Sequence, residues 1–88
     1  MKLKQNFTVV EVGGEMVAVP VGEAAERFRG IIRLNETAAF IVKRLQEETT
    51  REALIEALSE EYDGPREQLA SGVDGVLEQL RSCGALEE

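Results

Sequence analysis

Between Gly30 and Leu45 the chain reads GIIRLNETAAFIVKRL, a short apolar strand that passes through one asparagine directly into an amphipathic helix. Ile31 to Leu34 is rich in β-formers, and Asn35 is a preferred helix N-cap. Glu36 sets a carboxylate against the positive end of the helix dipole. This junction divides the chain into a strand-rich first part and a helical second part.

Upstream, Phe7 to Val12 and Glu15 to Pro20 are two β-rich runs separated by Gly13-Gly14. Two residues able to take positive φ between such runs are a hairpin signal. Pairing across the turn sets Val10 opposite Val17 and Val12 opposite Glu15 on one face. The other face receives Val9 opposite Ala18 and Glu11 opposite Met16. Each face carries apolar residues and one glutamate near the turn, so alternation leaves the buried face open. Val21 to Gly30 connects the hairpin to the third strand, and GEAAERF within it suits one helical turn that carries Phe28 inward.

Three helices follow, expected over residues 36–47, 50–62 and 65–83. Ala38, Ile41, Val42 and Leu45 form one stripe of the first, while Phe40 points nearly the opposite way, so two sides of this helix are covered. Thr49-Thr50-Arg51-Glu52 fits a capping box for the second, which carries Leu54, Ile55, Leu58 and Tyr62 on its apolar face. Asp63-Gly64 ends it, and Pro65 opens the third where a missing N–H costs nothing. Leu69, Val73, Val76, Leu77 and Leu80 recur at helical spacing, and Gly84 is placed as a C′ residue before Leu86 packs back. The expectation is one α+β domain spanning residues 1–88, its core centred on Phe40, Ile41, Leu45, Leu54, Leu58, Val73, Leu77 and Leu80.

Charge and composition narrow the function. With no histidine and a single cysteine, Cys83, neither a disulfide scaffold nor a Cys/His zinc site has its ligands. Nucleophilic triads and Gly-rich phosphate loops are equally unsupported, so no catalytic residue, metal or cofactor is assigned. MKLKQNF lacks an apolar h-region, and no stretch approaches membrane-spanning length, which points to a cytoplasmic protein without a membrane partner. The net charge of −7 is uneven. Residues 1–34 carry five basic and four acidic groups, whereas residues 35–88 carry five basic and thirteen acidic ones. Such a helical half opposes nucleic acid, whose phosphates require a lysine and arginine surplus.

The third strand is the sharpest candidate. A short apolar edge strand offers unpaired N–H and C=O groups to an extended peptide, at about 0.5–1.5 kcal/mol net per hydrogen bond. Alternatively, Ile31 and Ile32 are ordinary core or dimer-forming residues. Gly72 and Gly75 lie inside the third helix, where each costs about 1 kcal/mol relative to alanine. They either thin the helix so that a peptide can approach or mark an undemanding exposed helix start. Arg27, Arg29 and Arg33 around the strand would clamp peptide carboxylates, or else balance the acidic helices.

The phrase LNETAAFIV, the GGE hairpin, and the later LSEEYD and LRSCGALEE resemble the PqqD-like family in order and spacing, from about Phe7 to Leu86. These small domains bind the leader peptides of ribosomally made precursors and are also called RiPP recognition elements. The resemblance implies a winged-helix-like fold, with a three-stranded antiparallel sheet packed on a three-helix bundle. It implies a leader peptide added as a strand against Gly30, Ile31, Ile32, Arg33 and Leu34, in a groove walled by Gly72, Val73, Gly75, Val76 and Leu80. It further implies a non-enzymatic adaptor that presents the precursor to a modifying enzyme, in this family often a radical SAM protein. Relatives commonly carry tryptophan or another large residue after the position of Ile41, where this chain has Val42. Two rivals stand beside this reading. A winged-helix DNA-binding regulator shares the element inventory, and a structural homodimer would use the same strand edge.

Overall fold

The computed structural model describes residues 1–4, 7–27 and 31–88, so Phe28, Arg29 and Gly30 lie outside the described residues. In chain order the elements are β1 (Lys2–Leu3), β2 (Phe7–Val12), β3 (Glu15–Pro20), α1 (Glu23–Arg27), β4 (Ile32–Leu34), α2 (Glu36–Arg44), α3 (Arg51–Glu61), α4 (Arg66–Ser82) and β5 (Leu86–Glu87). Gly13 and Gly14 both take positive φ, 59° and 85°. That is the requirement of a two-residue type I′ hairpin turn, and it sets the register Val12↔Glu15, Val10↔Val17 and Val9↔Ala18. β4 then pairs antiparallel with β3, with Met16↔Leu34, Val17↔Arg33 and Ala18↔Ile32. The strand order is β2-β3-β4, so β4 is an edge strand.

The helices settle which face of the hairpin is buried. Phe7, Ala18, Ile32 and Leu34 belong to the main core, with Val9 and Met16 packed against it. α2 lies on this inner face and packs in turn on α3 and α4. Ile41, Val42, Leu45, Leu54, Ile55, Leu58, Val73, Leu77 and Leu80 are at most 3% exposed. Phe40 is the exception to the expected core. It is half-buried, and its ring meets Tyr62 edge-on with centroids 5.9 Å apart.

Helix ends follow local chemistry. The Asn35 side chain accepts from the Ala38 N–H at 2.8 Å, and Thr50 does the same for Ala53 at 3.1 Å. Thr50 rather than Thr49 is the cap, so Ala53 occupies the position where a capping box would put its glutamate. Pro65 sits one place earlier than expected, as N-cap, and its carbonyl accepts from Gln68 and Leu69. α2 stops three residues short of Glu47. Beyond it Gln46 and Glu47 donate to Lys43 and Arg44, tightening the turn, and the Leu45 carbonyl accepts from Leu3 at 2.8 Å. Gly84, at φ 74°, closes α4 in a Schellman motif, with Ala85 N–H bonded to the Leu80 carbonyl and Gly84 N–H to Arg81. That reversal returns Leu86 to the core and pairs β5 with β1. Replacing Asn35 by alanine leaves the Ala38 N–H without its partner. Chemical denaturation should register a loss of about 1 kcal/mol, the usual worth of such a cap.

Candidate functional site

Ladder parity decides what the β4 edge can offer. Residues flanking a two-residue hairpin turn form a hydrogen-bonded pair, and such pairs alternate with non-bonded ones along an antiparallel ladder. Val12↔Glu15 and Val10↔Val17 are therefore the bonded pairs of β2 with β3, which leaves Met16 and Ala18 to bond β4. They face Leu34 and Ile32, whose N–H and C=O groups are consumed inside the sheet. Arg33, opposite Val17, turns its N–H and C=O outward. Among the described residues no strand pairs with that side.

The side chains divide the other way. Ile32 and Leu34 are buried, whereas Arg33 is exposed and Ile31, just ahead of the strand, is half exposed. Of the residues proposed to meet a peptide, Ile32 and Leu34 thus serve as core anchors that hold the edge in place.

α4 carries a strong asymmetry. At about 100° per residue its charged side chains, Arg66, Glu67, Asp74, Glu78 and Arg81, fall within roughly a third of the circumference, on one flank of the core seam Val73, Leu77 and Leu80. That charged flank faces α3. Arg51 donates from Nε and Nη2 to both Asp74 oxygens at 2.7 and 3.1 Å, and Arg66 bridges Glu52 and Glu56. The hydrogen bond from Arg51 holds the Asp74 carboxyl below its ordinary value. Its contribution is present above the usual carboxylate range and fades as pH falls through the depressed value. Arg81 is engaged by Glu78 and Glu88. Both arginines of α4 are therefore paired with carboxylates, an arrangement unsuited to phosphates.

The opposite flank of α4 bears no charge. Leu69, Val76 and Cys83 are half-buried there and Gly72 is exposed. Leu69 and Gly72 line an open depression of about 390 Å³ together with Thr37, Leu58 and Tyr62. Thr37 lies in the first turn of the helix that β4 feeds, three residues beyond Leu34, so this depression reaches the helix start next to the C-terminal end of β4. A larger depression of about 810 Å³ lies between the hairpin turn and α2, floored by Met16, Leu34, Ala39 and Phe40. Tyr62 borders both, and burial, then the negative charge of the Glu36 carboxylate, push its hydroxyl above the ordinary tyrosine value.

The expected contact set on α4 is thereby redistributed. Val73 and Leu80 are core residues, 0% and 1% exposed, and cannot turn toward a surface ligand. Gly72 and Val76 lie on the uncharged flank, and Leu69, Thr37 and Tyr62 join them. Gly75 points away from the core. A Cβ built at Gly72 or Gly75 would meet nothing within 4 Å, so the fold itself does not require glycine at either position. Among the described residues no cluster of three His, Cys, Asp or Glu side chains is placed to hold a metal ion, and no helix is long and apolar enough to cross a membrane.

Two solved structures share this architecture. One is TbiB1 in complex with the TbiA(beta) leader peptide, with a TM-score of 0.79 at 20% identity, covering 99% of this chain and 95% of that one. The other is a lasso peptide synthetase B1 complexed with the leader peptide, with a TM-score of 0.76 at 23% identity and coverage of 99% and 96%. No curated protein sequence matches the chain significantly. The sequence profile described as coenzyme PQQ synthesis protein D (PqqD) matches residues 15–86, from the turn of the hairpin to β5, and the chain therefore belongs to the PqqD family.

Proposed function

We propose that this protein is a non-enzymatic adaptor that holds the leader region of a ribosomally made precursor peptide and presents the remainder to a modifying enzyme. The observation that carries the reading is the unpaired edge of β4, with the Arg33 backbone directed outward, in a fold whose α4 keeps one flank free of charge. The edge supplies hydrogen bonds indifferent to sequence. Leu69, Gly72 and Val76 supply an apolar surface that selects side chains. Membership in the PqqD family and the two leader-bound neighbours support the same assignment. Holding precursor and enzyme together raises the effective concentration of substrate without chemistry in the adaptor. A radical SAM protein is one enzyme class that this family serves.

The test is a titration of the cognate leader peptide into isotopically labelled protein. Amide shifts should concentrate on Ile31 to Leu34 and on Leu69 to Val76. Shifts confined to β2 or to α3 would refute the placement. Concentration-dependent shifts at β4 without any peptide would instead show the edge pairing with its own copy.

A further inference from the structure

Arg33 is the one charged residue of β4, and it is exposed. Ile32 and Leu34 turn inward, so strand alternation sets the Arg33 side chain on the outer face of the sheet. There it ends a cross-strand row that runs from Val10 through Val17. The arginines of the two following helices are all engaged: Arg51, Arg66 and Arg81 each meet a carboxylate at 2.7–2.9 Å. Among the described residues no carboxylate pairs with Arg33, although the chain holds 17 acidic groups against 10 basic ones. Glu15, diagonal to it on the same face, and Glu36 border the same depression of about 810 Å³, and neither forms an ion pair with it.

This unpaired cation stands on the residue that the free edge presents. Arg33 turns its N–H and C=O away from β3, so a leader strand bonded to those groups sets one residue directly opposite it. Paired residues share a face of the sheet, so that leader side chain rises on the outer face, its Cβ about 4.5–5.5 Å from that of Arg33. The leader residues before and after it turn to the inner face, away from the guanidinium. One leader position therefore meets a positive charge that nothing else neutralises. An opposite charge there is favourable, and a like charge is not.

Resting on the leader-binding reading above, we propose that Arg33 is a specificity-determining residue: the leader carries an aspartate or glutamate directly opposite it, and the guanidinium holds that carboxylate through two parallel hydrogen bonds. The Arg33 backbone then accepts any extended strand, while its side chain fixes the register. Sliding the leader by one residue turns the carboxylate to the other face. The pair is exposed, so its effect on affinity is about two- to fivefold and is screened by salt.

The experiment is a double-mutant cycle read by fluorescence anisotropy. A fluorescein-labelled synthetic cognate leader peptide, and versions with each aspartate or glutamate in turn replaced by its amide, are titrated against wild type and Arg33→Gln. One replacement should weaken binding to the wild type about two- to fivefold and leave binding to Arg33→Gln unchanged. With lysine at that same leader position, Arg33→Glu should bind better than the wild type does. Arg33→Lys, which keeps the charge without the fork, should retain part of the coupling. The coupling should fade at about 1 M salt, where the Debye length is about 3 Å. A leader that binds while none of its carboxylates couples to Arg33 overturns the proposal, as does tight binding of a leader without any acidic residue. Coupling to Lys43→Gln in place of Arg33→Gln overturns it too, by moving the acidic contact off the strand edge to the helix side of the depression. A wild type that binds no leader at all refutes the adaptor reading itself, and this proposal with it.

Discussion

Replacing Leu77 by alanine is expected to lower the thermal midpoint by about 10 °C or more. Leu77 is 3% exposed on the core seam of α4, flanked by Val73 and Leu80. Truncating a fully buried leucine costs about 2–5 kcal/mol, because the lost transfer energy is joined by a cavity that neighbours fill only partly. In a domain of this size each kcal/mol moves the midpoint by about 4–8 °C. The internal control is Gly75, two residues earlier. A Cβ there meets open space, so Gly75→Ala should raise stability by about 0.5–1 kcal/mol through helix propensity alone. Opposite signs from two positions on one helical turn would confirm both the seam and its solvent side. Equal midpoints for Leu77→Ala and wild type would contradict the three-helix packing.

The part of this fold legible in the sequence is the part whose chemistry is local. Gly13-Gly14 marks a two-residue hairpin loop, and that loop length dictates every pair of the hairpin. Asn35 and Gly84 mark helix ends because a cap hydrogen bond and a left-handed residue act within one turn of the chain. What was hidden depends on partners distant in sequence. Neither face of the hairpin reads as core until β4 and α2 are in place, since each carries valines and a glutamate. β1 and β5 are two residues each, too short for alternation, and exist because the Schellman turn at Gly84 brings Leu86 beside Leu3.

The candidate site was half legible for the same reason. The β4 stretch stands out by composition, but assigning its outward groups needs the ladder parity transmitted from the hairpin turn. On α4, counting acids and bases conceals that all the charges lie on one flank. Placing them around the helix exposes the neutral flank, a signal present in the sequence itself. Choosing between Val73 and Val76 as the residue nearer the surface then required knowing that α3 takes the charged side, through Arg51–Asp74 and Arg66–Glu56.

Parity also separates two prolines that a strand reading alone treats alike. Arg33→Pro removes the outward N–H from the free edge of β4 and leaves the β3 ladder untouched, a position where sheets tolerate proline. Leader affinity should fall about tenfold or more, from one lost hydrogen bond worth about 0.5–1.5 kcal/mol and from the ring intruding where the added strand must lie. Far-UV circular dichroism and the thermal midpoint should stay close to wild type. Arg33→Ala isolates the side chain: a smaller loss there assigns the difference to the backbone, as strand addition requires. Ile32→Pro behaves otherwise, because its N–H is bonded to β3 and its side chain is 5% exposed in the core. That variant should lose stability first and leader binding only as a consequence. If Ile32→Pro instead proved stable while Arg33→Pro unfolded, the parity assignment would be inverted, and with it the identity of the groups that β4 presents to a peptide.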